Sequence, residues 1–380
     1  MNNFLYILYL WSHRLLGRFW FKEEKQFIAT PAEKLAALSI LKQGLVEKYL
    51  KRHAQRILPD FSQWEKLTQV IIKNHQGKKN VTCVVRYELL YVNNKGQQKK
   101  ADIYFNSSSD NSRRHAWDCL TNLNGLKFST DHWQIIKPYD YVPYWQCLVY
   151  LGAPGRSLLF YTQNTSLSLT PFIRLAAGWL KHLHNLPGRP SSAWQKKYIY
   201  QMIPRPSFLA WRITKVFGSW GRRSRRTLLT AIRLEKKWGH AKTNNTMLCG
   251  DYHPANIIFA SSNPKSVTII DYADMSLGDS HRDLGTFLQQ FSWMARMHRD
   301  KQQIYYYKRI FLETYFGCAY HDIPLDSFRR INLYQAWTAL RSAVFIFLME
   351  GSGRLVFELI DDAEKYINKI EINAKTVNIK

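Results

Sequence analysis

The chain has 380 residues, 46% of them hydrophobic and 14% aromatic, which excludes a disordered or low-complexity protein and calls for two or more packed lobes. Lys and Arg outnumber Asp and Glu by 26, an excess that suits anionic partners: a phosphorylated or acidic small molecule, a membrane surface or a nucleic acid. Five dispersed cysteines with no C-x-x-C pair exclude a disulfide framework or zinc site and suit a reducing, cytoplasmic compartment.

The first 60 residues hold no motif and are expected to form an N-terminal helical extension. Residues 4–11 are apolar but too few to span a bilayer. No basic start or small-residue cleavage site marks a signal peptide. At helical spacing Phe4, Leu8, Trp11, Leu15 and Phe19 share a face, with His13, Arg14 and Arg18 beside or opposite it. Such a face suits packing on the rest of the protein, a dimer partner, or peripheral contact with a membrane through residues 1–21.

Residues 70–72 suggest a first strand, and residues 81–92 a second that alternates through Val84, Arg86, Glu88 and Leu90. Between them residues 74–80 form a basic loop with one glycine and the pair Lys78 and Lys79. The turn Asn93-Asn94-Lys95-Gly96 leads to a third strand at 101–105. A helix is expected over 113–123 and another strand over 147–151. Residues 172–187 combine helical apolar spacing with a proline stop. His182 and His184 lie two apart, so they cannot share a helix face as metal ligands; one packed and one solvated histidine is expected. Residues 218–226, with Arg222, Arg223, Arg225 and Arg226, read as a solvated loop before a helix over 226–240.

Residues 248–284 read LCGDYHPANIIFASSNPKSVTIIDYADMSLGDSHRDL and carry the chemistry. Residues 257–260 and 267–270 are apolar, β-branched and too short for helices, with a Ser-Asn-Pro turn between them. Paired as a hairpin, they bring Asn256 and Asp271 to one end, with Asp251 on the loop leading in. Hard oxygen ligands of this kind suit magnesium on a nucleotide's phosphates, and phosphoryl transfer needs one acid to orient the attacking hydroxyl. Chain order makes Asp251 the base and Asn256 and Asp271 the metal ligands. The alternative is a surface hairpin flanked by turn and cap residues. Downstream, residues 286–297, 304–316, 328–349 and 354–367 read as helices.

The set Gly250, Asp251, Asn256, Ile270, Asp271, Gly278, Asp283 and Leu284 resembles the motif of the aminoglycoside phosphotransferase and choline kinase family, H-G-D-x-x-x-x-N, then I-D, then a glycine and an Asp-Leu pair. Cys249 stands where that family usually has histidine. The resemblance spans roughly residues 81–350 and implies an α+β, two-lobed protein-kinase-like fold. Its parts would be the extension at 1–60, a small β-sheet lobe at 61–152 that binds nucleotide, and a larger, mostly helical lobe at 153–380 that binds the acceptor. It implies ATP or GTP with Mg2+ as cofactors and a small hydroxyl-bearing acceptor; the basic charge balance suits an anionic acceptor better than a polycationic drug. Backbone groups at Tyr150 and Leu151 would meet the base, Lys78 would face phosphates, and Gly250, Gly278 and Asp283 would support the site.

His281-Arg282-Asp283-Leu284 spells the protein-kinase catalytic motif, yet Leu288 stands where its asparagine is required. Asp283 is therefore read as a structural acid that braces the catalytic loop or caps the helix that follows. The family's third-strand lysine is missing, since Asp102-Ile103-Tyr104 stands in its place. Lys100, in phase with Asp102, would supply the cation if the strand slipped by two residues; Arg86 is the substitute. The helix over 113–123 offers only Asp118 as a carboxylate. A catalytically impaired kinase-like binding protein, at an anionic membrane surface or on nucleic acid, is the alternative function; no nucleic-acid fold signature accompanies the charge.

Overall fold

The computed structural model describes residues 28–77, 80–186, 194, 198–199, 218–239, 246–350 and 353–377. Residues 1–21, Lys78 and Lys79 lie outside the described residues.

The small lobe is built on an antiparallel sheet in the order β1-β2-β3-β6-β5. Its strands are β1 (Phe61–Gln76), β2 (Val81–Asn93), β3 (Gln98–Ser108), β5 (Pro138–Val142) and β6 (Cys147–Leu151). Alternate residues of β2, from Cys83 through Val85, Tyr87 and Leu89 to Tyr91, are buried, the period of a sheet with one covered face. The cover is the part of the chain where no motif was legible. Helix α1 (Pro31–Leu38) opens with a capping box in which Thr30 and Glu33 exchange hydrogen bonds. Helix α2 (Gln43–Ile57) buries Val46, Tyr49, Leu50, Ala54 and Ile57, a stripe at helical spacing. Ile40 and four of those residues (Val46, Tyr49, Leu50 and Ile57) share one core with the sheet.

The other face of the sheet looks toward the large lobe. Tyr104 of β3 and Tyr150 of β6 stack there with ring centroids 5.4 Å apart and join the large-lobe core. Helix α3 (Ser112–Gly125) follows β3, and β4 (Trp133–Ile135) leaves toward the large lobe. After β6 the chain passes β7 (Arg156–Ser157) into α4 (Leu158–Gln163) and α5 (Thr170–His184). Much further on, β9 (Ile257–Phe259) and β10 (Val267–Ile269) form the expected hairpin. It is clamped between β4 and β7 in the order β4-β10-β9-β7. Beside it, β8 (Thr246–Leu248) pairs with β11 (Ser276–Gly278).

Two helical cores complete the large lobe. One joins α5 to α7 (His281–Ala295) and α8 (Lys301–Phe316) around Trp179, Phe287 and Phe311. The other joins α6 (Ser219–Gly239), α9 (Leu325–Glu350) and α10 (Gly353–Val377) around Trp337. The arginine-rich run expected as a solvated loop falls largely within α6. Arg223 there reaches Asp361 at 2.6 Å and Glu364 at 2.5 Å on α10. Arginine is a good helix former, and the acidic partners lie some 140 residues away in sequence. Of the two histidines of α5, the His184 side chain is buried, while His182 is partly exposed and meets the Phe128 carbonyl at 2.9 Å.

Candidate active site

The loop after β8 carries Asp251 and is held from two directions. Gly250 has φ +85°, and a Cβ there would lie 2.1 Å from the Asp274 carbonyl oxygen, so only glycine fits. Asp283, fully buried in the first turn of α7, accepts the backbone N–H of Cys249 at 2.7 Å and of Gly250 at 2.9 Å. Its Oδ2 also meets His184 Nε2 at 3.1 Å, and His184 Nδ1 lies 2.7 Å from the Tyr315 hydroxyl. The look-alike Asp283 thus touches the loop backbone. Gly278 sits in β11 opposite Thr246, pairing the strand that leads into the loop. Cys249 is sealed in the core, and burial pushes its thiol well above the usual range.

Asp251 faces two cationic or polar partners. Its Oδ1 lies 3.5 Å from Arg341 Nη1 and its Oδ2 lies 3.5 Å from His253 Nε2. Burial opposes its charge, yet the hydrogen bond from His253 and the Arg341 guanidinium prevail and hold the carboxyl below the usual carboxylate range. Arg341, on α9, also reaches Asp274 at 3.1 Å.

Asn256 and Asp271 meet at the end of the hairpin. Ile257 pairs with Ile269, and the Ile270 N–H bonds to the Asn256 carbonyl at 3.0 Å. Asn256 Nδ2 donates to the Asp251 carbonyl at 3.1 Å and lies 3.1 Å from His253 Nε2. That commits the amide nitrogen and turns Oδ1 toward another partner. Asp271 adopts φ +63°, a left-handed conformation that is uncommon outside glycine and clusters at functional sites. Its half-exposed carboxylate lies 3.6 Å from Arg113 Nη1. Among the described residues no group of three or more His, Cys, Asp or Glu side chains could hold a metal ion. One carboxylate and one carboxamide oxygen instead suit a hard cation that keeps most of its ligands from phosphate and water.

The expected phosphate cations are engaged by neighbouring carboxylates. β2 and β3 pair without a slip, setting Leu90 opposite Lys100 and Glu88 opposite Asp102. Lys100 is half-exposed and bonds Glu88 at 2.8 Å. Arg86 bonds the same carboxylate at 2.6 Å and approaches Asp102 at 4.0 Å. Two cations and two carboxylates therefore neutralise one another on this face. Tyr150 and Leu151 lie within the ladder, opposite Tyr104 and Ile103. The Gly152 N–H closes it on the Asp102 carbonyl at 2.8 Å, so the link between lobes begins only beyond that point.

Three residues escaped the sequence reading. His253 stands inside the motif itself, two residues after Asp251, and its position was a usable signal. Arg341 is 90 residues from Asp251 and gave none. Arg113 lies in the first turn of the helix after β3, where a basic residue has no local signature that marks it as part of a site.

A β-sheet lobe and a helical lobe meeting at a braced Asp-Asn-Asp set define a protein-kinase-like fold of the small-molecule phosphotransferase class. Residues 127–320, more than half of the chain, match the family described as the phosphotransferase enzyme family (APH), and the chain belongs to that family. No curated protein matches the sequence. Among solved structures, ADP-bound aminoglycoside phosphotransferase APH(2'')-Ib is 16% identical with a TM-score of 0.51, covering 84% of this chain and 99% of its own. Amicoumacin kinase hAmiN, in complex with AMP-PNP, Ca2+ and Ami, is 12% identical with a TM-score of 0.53, covering 87% and 96%. Spectinomycin phosphotransferase APH(9)-Ia, with ADP and spectinomycin, is 13% identical with a TM-score of 0.50, covering 79% and 93%. At these identities the likeness is one of fold.

Proposed function

We propose that this phosphotransferase moves the γ-phosphoryl group of ATP or GTP, with Mg2+, to a hydroxyl group of a small molecule. The observation that carries the reading is Asp251, presented on a braced loop whose carbonyl is tied to the Asn256 side chain. The magnesium nucleotide would supply the transferable group and offset part of its charge. Asn256 Oδ1 and the Asp271 carboxylate are the groups suited to hold the metal.

Asp251 orients the acceptor hydroxyl and takes its proton as attack proceeds. Arg341 and His253 keep the carboxyl ionised, so it is ready to accept at neutral pH. An anionic acceptor suits a chain carrying 26 excess positive charges better than a polycationic aminoglycoside does. A second reading, nucleotide binding without transfer, draws on the engagement of Lys100 by Glu88.

The test is phosphate transfer from radiolabelled ATP or GTP to a panel of sugars, amino-alcohols and their phosphorylated or carboxylated conjugates. Asp251→Asn should lower turnover by about 100- to 10,000-fold, the usual worth of a general base, with nucleotide affinity little changed. An unaffected rate removes Asp251 from the mechanism. Nucleotide binding without transfer to any acceptor favours the second reading.

A further inference from the structure

Arg113 is placed at a structural cost that its described partners do not explain. It lies in the first turn of α3, only 8% exposed, and that turn has no acidic residue. A cation at a helix N-terminus opposes the helix dipole. Burying a guanidinium is costly unless its donors are met. Arginine offers five N–H donors, yet Nε of Arg113 is buried without a partner. Among the described residues, Asp271 is the one carboxylate within ion-pair reach, at 3.6 Å. Asp110 is close enough for the two charges to attract, but it lies outside ion-pair reach and its Oδ1 accepts the Ser112 N–H at 3.0 Å. A buried guanidinium with an unmet Nε donor thus stands beside the carboxylate of the candidate metal site.

We propose that Arg113 binds the phosphate oxygens of the nucleotide, taking from the helix the role that a third-strand lysine would otherwise fill. The inference rests on the nucleotide-dependent reading above. The planar fork suits two phosphate oxygens at once. Lys100 and Arg86 are already neutralised by Glu88 and Asp102. A bound polyphosphate would complete the Arg113 donors and offset its unfavourable place in the helix dipole. Since the same guanidinium touches Asp271, it would set the spacing between phosphates and metal ligand.

The experiment is calorimetric binding of ATP, ADP and adenosine to the full chain, with Mg2+ and again in EDTA. It compares wild type with Arg113→Met, Arg113→Lys and Lys100→Ala, and thermal melts establish that each is folded. Loss of one charge-assisted contact predicts ATP and ADP binding weakened by about 10- to 100-fold in Arg113→Met. Adenosine affinity should be unchanged, and Arg113→Lys should recover part of the loss. The weakening should persist in EDTA, which a role exercised only through Asp271 and the metal would not give. Arg113→Met that binds ATP like wild type overturns the proposal, as does equal loss of adenosine. A deficit confined to Mg2+, or found instead in Lys100→Ala, does so too. Wild type that binds no nucleotide removes the functional reading itself and this inference with it.

Discussion

Asp283 is the test of whether the loop carrying Asp251 is held by one carboxylate. Asp283→Asn keeps the shape and replaces one oxygen with an NH2 group. Both oxygens are engaged: Oδ1 with the Gly250 N–H at 2.9 Å, Oδ2 with the Cys249 N–H at 2.7 Å and His184 Nε2 at 3.1 Å. Whichever way the amide turns, it points donors at a donor in a site without water access. One charge-assisted bond is lost and one buried N–H is left unmet, together about 3 kcal/mol. At about 2 °C per kcal/mol for a lobe of this size, the melting temperature should fall by about 6 °C. The loop carrying Asp251 should also lose its set position, and a misplacement of about 1 Å costs on the order of 100-fold in rate. Differential scanning calorimetry and the transfer assay read the two effects separately. An unchanged melting temperature and rate in Asp283→Asn would refute the brace. A lowered melting temperature with full activity would show that the buried bonds stabilise the helix without positioning Asp251.

Two further outcomes follow from the same geometry. Asp271→Ala should abolish the Mg2+-dependent part of nucleotide binding in calorimetry while leaving the fold intact; tight magnesium-nucleotide binding in the variant would make the metal assignment wrong. Glu235, buried in α6, accepts the Ile199 N–H at 2.8 Å and faces the Tyr334 hydroxyl at 3.3 Å. Burial pushes its carboxyl up from 4.5 to about 7 against the pull of the Ile199 bond and Arg282. An acid raised in this way holds more protons folded than unfolded between those values, so stability declines as pH rises from about 4.5 to about 7 and stays reduced above it. The decline amounts to about 3 kcal/mol, and denaturant unfolding at pH 5 and pH 8 should show a shallower fall in Glu235→Gln than in wild type. Identical falls would place the Glu235 proton elsewhere.

The site was legible where neighbours in sequence are neighbours in space. The hairpin is a local object, so two β-branched runs and a Ser-Asn-Pro turn were enough to bring Asn256 and Asp271 to one end. Gly250 was legible through the motif as a support of the site, and the missing asparagine five residues beyond Asp283 marked that acid as structural without saying which groups it bonds. What failed was long-range pairing. Arg341 meets Asp251 because α9 crosses behind the loop, and a helix seen alone does not say which acid its arginine will meet. The arginine run of α6 looked solvated because its acidic partners on α10 are distant in sequence. The first helices carried no motif, yet the alternation of β2 demanded that something apolar cover its Cys83–Tyr91 face, and α2 meets that demand.

The missing lysine is best understood from the register of β2 and β3. With Glu88 opposite Asp102 and with Lys100 and Arg86 on the same carboxylates, this stretch of sheet is a closed set of charges. Drawing Lys100 from it toward phosphate would leave Glu88 with Arg86 alone, so recruiting Lys100 has an electrostatic cost that a free lysine would not incur. A guanidinium on α3 has no such tie to the sheet. It is rigid through burial and already oriented by Asp271, which lowers the entropy lost when phosphate arrives. On the proposal for Arg113, the departure from the family pattern would move the cation from a strand to a helix, with Asp271 of the candidate metal site holding it in place.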